Sequence, residues 1–125
     1  MSAPAQLGNI SPLIPGGKDL AVAIAFYEQR LGFQTLHREG NPLRLAIVQR
    51  DQAQLYLCQQ DYQPLSNQLS LRIQVHQIDQ LYAEYCNKDP SIIHPEGHLA
   101  LKPWGPKEFV VIDPEGVCLT FYEIP

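Results

Sequence analysis

Hydrophobic residues recur along this chain with two periods, and the switches between them mark out the elements. From Asp19 to Leu31 the apolar positions Leu20, Ala23, Ile24, Tyr27 and Leu31 follow helical spacing, with Glu28, Gln29 and Arg30 opposite them. Asp19 is a suitable N-cap and Gly32 a suitable stop, so the pattern predicts an amphipathic helix. Three strand-like runs follow: Phe33 to Arg38, Leu43 to Arg50 after Gly40-Asn41-Pro42, and Gln54 to Gln59 after the break at Asp51-Gln52. A polar connector from Asp61 to Asn67 leads into Leu69 to Val75, where Leu69, Leu71, Ile73 and Val75 alternate with Ser70, Arg72 and Gln74. The helical period returns from about Gln77 to Lys88, with Ile78, Leu81, Tyr82 and Tyr85 on one face and Asp89-Pro90 ending the run. Strand character then resumes, weakly at His98 to Lys102 and strongly at Glu108 to Ile112. After the turn Asp113-Pro114-Glu115-Gly116 it continues from Val117 to Glu123.

If Ile10 to Ile14 is the first strand, the order is strand, helix, three strands, and then the same again. The helix faces superpose at a constant spacing of 58 residues, from Leu20 to Ile78, Ile24 to Tyr82 and Tyr27 to Tyr85. The expected fold class is therefore α+β, with module one over about 8–60 and module two over about 68–125 of a single domain. A single α+β sheet carrying both helices on one face is the alternative.

Strand alternation sorts side chains onto two faces. Leu55, Leu57, Leu71, Ile73, Val75, Leu119 and Phe121 belong under the helices. Their neighbours Gln54, Tyr56, Cys58, Ser70, Arg72, Gln74, Cys118, Thr120 and Tyr122 face away. A solvated sheet face accounts for many of these polar groups. Two tyrosines and a guanidinium on one concave surface also suit a pocket for a flat, polar ligand, because rings give contact area and Arg gives directed donors.

Composition narrows the partners. The 125 residues are 45% hydrophobic and 18% charged, with 11 prolines, as expected of one globular domain with many short strands. A formal charge of −4 leaves no basic stripe for phosphates, so nucleic acid is not an expected partner and a cation suits the field better. Met1 to Gln6 lacks the basic and apolar regions of a signal peptide, and Leu20 to Tyr27 is too short to span a bilayer. A cytoplasmic chain with no membrane partner is expected. Cys58, Cys86 and Cys118 are odd in number and lack CxxC spacing, which fits reduced thiols.

Several segments together resemble the glyoxalase/bleomycin-resistance/dioxygenase (vicinal oxygen chelate) superfamily. They are Asp19-Leu20 with Phe26-Tyr27 and Leu31-Gly32-Phe33, then Leu71-Arg72-Ile73-Gln74-Val75, then Lys102-Pro103-Trp104-Gly105 leading to Glu108-Phe109 and Asp113-Pro114-Glu115-Gly116. The resemblance covers nearly the whole chain, and the ending is most like the bleomycin-resistance branch. It implies two βαβββ modules forming a curled mixed sheet around a cavity, and a homodimer. In metal-using members the ligands sit on the first and last strands of each module, which corresponds here to Pro12, Tyr56, Ser70 and Thr120. None of the four offers an imidazole or carboxylate, so no metal and no cofactor are expected, and metal-dependent lyase or dioxygenase chemistry is disfavoured.

Other constellations are weak. His94 and His98 are four apart, but Pro95 and Gly97 between them forbid a regular helix, and His37 and His76 have no carboxylate cluster nearby. No phosphate-binding glycine loop occurs. Cys58 and Cys118 have no base assigned by sequence. Trp104, the only tryptophan, and Phe33 can each be either a hydrophobic plug or a stacking surface. The expected function is metal-independent binding of a small molecule, a drug or metabolite sequestered in a dimer groove by Phe33, Tyr56, Arg72, Trp104, Thr120 and Tyr122. The alternative is a metal-independent lyase or isomerase using a tyrosine or cysteine as proton carrier.

Overall fold

Residues 3–125 are described by a computed structural model. The chain forms two four-stranded mixed sheets, each with a helix against one face. In the first, β1 (Leu13–Pro15), β2 (Gln34–Glu39), β3 (Leu45–Arg50) and β4 (Ala53–Cys58) lie in the order β1-β4-β3-β2. In the second, β5 (Ser70–Gln74), β6 (Ala100–Leu101), β7 (Lys107–Ile112) and β8 (Cys118–Glu123) repeat it as β5-β8-β7-β6. Each first strand pairs parallel to the last strand of its own module, and the other pairs are antiparallel. The α+β class and the two βαβββ modules are present; the single-sheet alternative is excluded.

Helix α1 (Leu20–Ala25) starts where Asp19 accepts a hydrogen bond from the Ala21 amide at 3.1 Å, and it buries Leu20, Ala23 and Ile24. It continues as a wider π turn over Phe26–Arg30, so the expected helix to Leu31 is present but not uniform. Helix α3 (Ile78–Lys88) has no side-chain cap of its own, since Gln77 sits in the left-handed region at φ 67°. Glu123 on β8 replaces it, accepting from the Gln77 and Ile78 amides at 2.9 and 3.0 Å.

Three expectations need correction. The first strand begins at Leu13, not Ile10: Pro12 supplies its carbonyl to the Tyr56 amide at 2.8 Å, and regular pairing starts only beyond it. The connector contains a helix, α2 (Gln63–Gln68), because Pro64 falls in its first turn, where a missing N–H costs nothing. The sixth strand shrinks to Ala100–Leu101.

Between the modules lies one core, and two equivalent tyrosines fasten it. Tyr27 and Tyr85, both fully buried, each reach across to the other module. Tyr27 donates to Asp113 Oδ2 at 2.9 Å and Tyr85 to the Leu31 carbonyl at 2.9 Å. Arg50 adds a fork onto Glu84 at 2.8 and 2.9 Å and also donates to the Leu31 carbonyl. Phe109 stacks on Phe121 at 5.1 Å, and Tyr85 meets both edge-on. Tyr27→Phe would leave a buried carboxylate oxygen unpaired. The expected loss is about 1–3 kcal/mol of unfolding free energy in urea titration, whereas Tyr62→Phe at an exposed position should lie within about 0.5 kcal/mol of the parent.

Candidate functional site

Each sheet has one face under its helix and one open face. On the second sheet, β8 pairs Thr120 with Arg72 of β5 and with Val110 of β7, and pairs Tyr122 with Gln74 and Glu108. These residues share the face opposite Leu119 and Phe121, which are buried in the core.

A compact polar and aromatic cluster occupies this face. Arg72 donates to Glu108 Oε2 at 2.6 Å, and the Trp104 indole Nε1–H donates to the same oxygen at 3.1 Å. The Arg72 guanidinium also lies 4.5 Å above the Tyr122 ring, within cation–π range. Glu108 is 4% exposed while Trp104 is 66% exposed, so a buried carboxylate holds a protruding indole. Burial pulls the Glu108 carboxyl upward, but the hydrogen bonds from Arg72 and Trp104 outweigh it and hold it below the usual glutamate range.

Tyr56 stands apart, on the open face of the first sheet beside Leu13 and Ile47. Phe33 is buried and packs edge-on to Tyr27 at 5.6 Å. Of the six candidates, four therefore cluster on one face: Arg72, Trp104, Thr120 and Tyr122. The other two are elsewhere. A cleft of about 910 Å³ runs along the free edge of β5 and is lined by three of the six candidates, Phe33, Arg72 and Tyr122, with Leu71, Ile73 and Leu81 beside them. Trp104, Thr120 and Tyr56 do not line it.

Glu108 was not among the residues singled out from sequence. Its place in the Glu108-Phe109 segment, just ahead of an apolar run to Ile112, was the available signal. The register of β1 also changes one assignment. Ile14 is in the core and Leu13 pairs with Tyr56, so Leu13 shares the open face with Tyr56, and Pro12 falls on the other side. The corresponding open-face positions are Leu13, Tyr56, Ser70 and Thr120. No group of three or more His, Cys, Asp or Glu side chains converges among the described residues. His94 and His98 lie in loops; His98 Nδ1 is 3.2 Å from the Tyr82 hydroxyl. His37 lies inside β2, with its Nε2 3.5 Å from Glu39.

No family model matches the chain. It is 28% identical to the bleomycin resistance proteins of Geobacillus stearothermophilus and Staphylococcus aureus, over 90% of this chain and 93% of theirs. The fold matches a bleomycin-binding protein from Streptomyces verticillus solved with copper(II)-bleomycin. There the TM-score is 0.74 at 22% identity, over 96% of this chain and 100% of that one. It also matches a lactoylglutathione lyase from Agrobacterium tumefaciens, at a TM-score of 0.69 and 16% identity, over 95% and 96%. The likeness to bleomycin resistance proteins thus runs along nearly the whole chain, and the fold is the one these solved structures share.

Two βαβββ modules here present open sheet faces, and the second face carries the denser chemistry. Because the folded-state value of Glu108 is depressed, its stabilisation is present above the unfolded-state value and is lost as pH falls through the folded one. Acid titration of Trp104 emission should therefore show a transition below the usual glutamate range, before global unfolding seen by far-ultraviolet circular dichroism. Glu108→Gln should abolish that transition.

Proposed function

We propose that this chain binds and sequesters a small, flat molecule of the bleomycin type without converting it, as a cytoplasmic single-domain protein acting as a homodimer. One observation carries the reading: an exposed indole, a tyrosine ring and a paired guanidinium share one sheet face. Trp104 and Tyr122 supply stacking area, while Thr120, expected to offer a hydroxyl, is buried between Arg72 and Val110. Relatives described as bleomycin resistance proteins support the choice of ligand class. The superfamily's lyase chemistry has less support here, since burial pushes the Cys58 thiol up and away from the reactive thiolate.

A second copy is part of this proposal. Tyr56 and the Trp104 cluster lie on different sheets, so one groove that uses both is most simply made by the first module of one copy and the second module of another. The arm before β1 leaves Leu7 and Ile10 at 103% and 88% exposure, and the open face of the first sheet leaves Leu13 exposed. Apolar surface of this kind favours self-association. No helix among the described residues is long and apolar enough to cross a membrane.

Titration with bleomycin, followed by calorimetry and by Trp104 fluorescence, should give saturable binding with one site per chain and unchanged drug on recovery. Sedimentation should give twice the 14.1 kDa chain mass. Trp104→Ala, at an exposed site, should weaken binding about tenfold or more while leaving the unfolding midpoint near the parent value. Absence of saturation, or consumption of the drug, overturns the reading.

A further inference from the structure

An arginine on a ligand-binding face ordinarily selects for carboxylates, phosphates or sulfonates, because its planar fork matches them. On Arg72 that charge is offset, and one nitrogen of the fork, Nη2, is already paired. Its guanidinium is committed to Glu108 at 2.6 Å on one side and lies over Tyr122 at 4.5 Å on the other, although its side chain is 49% exposed. Glu108 uses the same oxygen, Oε2, to accept from Trp104. A single buried carboxylate thus does two jobs on the face: it cancels the arginine's charge, and it fixes the plane of the indole through its one N–H.

We infer that Glu108 is the specificity-determining residue of this face, converting an anion-selective guanidinium into a charge-compensated stacking platform and setting the orientation of Trp104. The inference rests on the sequestering role proposed above and assigns which ligands that role accepts: flat aromatic molecules that are neutral or cationic, in preference to anionic ones of the same size. Glu108 is a positioning residue here, since Trp104 and Arg72 stand between it and the ligand. Lys102, at the start of the turn that carries Trp104, is the next cation acting on Glu108. It is unchanged in every variant below, so differences among them report the Arg72–Glu108 pair.

The test uses the full chain and two dyes of opposite charge, cationic thioflavin T and anionic anilinonaphthalene sulfonate, with bleomycin as a third probe. The parent should bind thioflavin T more tightly than the sulfonate. Glu108→Gln keeps a carbonyl acceptor for the indole and frees a positive charge. It should tighten the sulfonate and weaken thioflavin T, each by about five- to tenfold, with Trp104 emission little changed. Arg72→Gln, at a half-exposed position, leaves Glu108 uncompensated and should shift both dyes the opposite way, which keeps the test decisive if Glu108→Gln fails to fold. The double variant should restore the parent preference.

Trp104 is the only tryptophan, so its emission reads the positioning claim without any ligand. Glu108→Ala should red-shift it, lower its anisotropy and raise its quenching by acrylamide, and Glu108→Gln should rescue all three. If the charge swaps leave dye preference unmoved, the specificity role is overturned. If no probe binds the parent, the sequestering role falls, and the indole signal still decides whether Glu108 positions Trp104: unchanged emission in Glu108→Ala overturns that too.

Discussion

Two buried phenols, each crossing from its own helix to the opposite module, set the relative placement of everything else in this molecule. Tyr27 and Tyr85 occupy equivalent positions of the repeated unit, yet they find different acceptors, a carboxylate in one case and a main-chain carbonyl in the other. Each hydroxyl is fully buried, so each must be satisfied. Desolvation first, and then for Tyr27 the neighbouring Asp113, keep both protonated far above neutral pH, so they act as fixed donors. Because the acceptors come from the other half, the modules meet in one orientation. The core between them can then pack Phe33, Phe109 and Phe121 edge-on or stacked without alternatives.

That fastening uses the helix-facing side of both sheets and leaves the opposite sides free for other chemistry. On the second sheet the free side is organised by ion pairing across β5 and β7, not by hydrophobic packing. A charged pair at a half-exposed site contributes modestly to stability. Its value here is geometric: the guanidinium is held over Tyr122, and the indole is tied by its one N–H while it protrudes from the surface. The two halves of the repeat have diverged accordingly. The first sheet offers Leu13, Ile47 and Tyr56, and the second offers charge and hydrogen-bonding groups.

Periodicity in the chain revealed most of the architecture, because each strand has one buried face and each main helix one buried stripe. The pairs Leu71/Ile73 and Leu119/Phe121 alternate so clearly that the open-face partners Arg72, Thr120 and Tyr122 follow from them. What the pattern concealed has particular causes. Pro64 reads as a breaker in a polar stretch, yet in a first turn it starts a helix. Ile10 looks like strand, but Pro12 delays the ladder to Leu13. Phe33 reads equally as a plug or a stacking surface, and only the tertiary packing against Tyr27 decides for the plug. Glu108 was invisible for a different reason: its importance comes from converging with residues 36 positions earlier and four positions earlier, a relation no local pattern encodes.

The borrowed cap on α3 has a consequence for how the chain is made. Glu123 closes the amino end of a helix that leaves the ribosome some 45 residues before it. Until the last strand arrives, the Gln77 and Ile78 amides face water and the first turn of that helix is free to fray. Vectorial synthesis thus delivers a first helix whose Asp19 cap is local, ahead of a second helix whose cap must wait for the last strand.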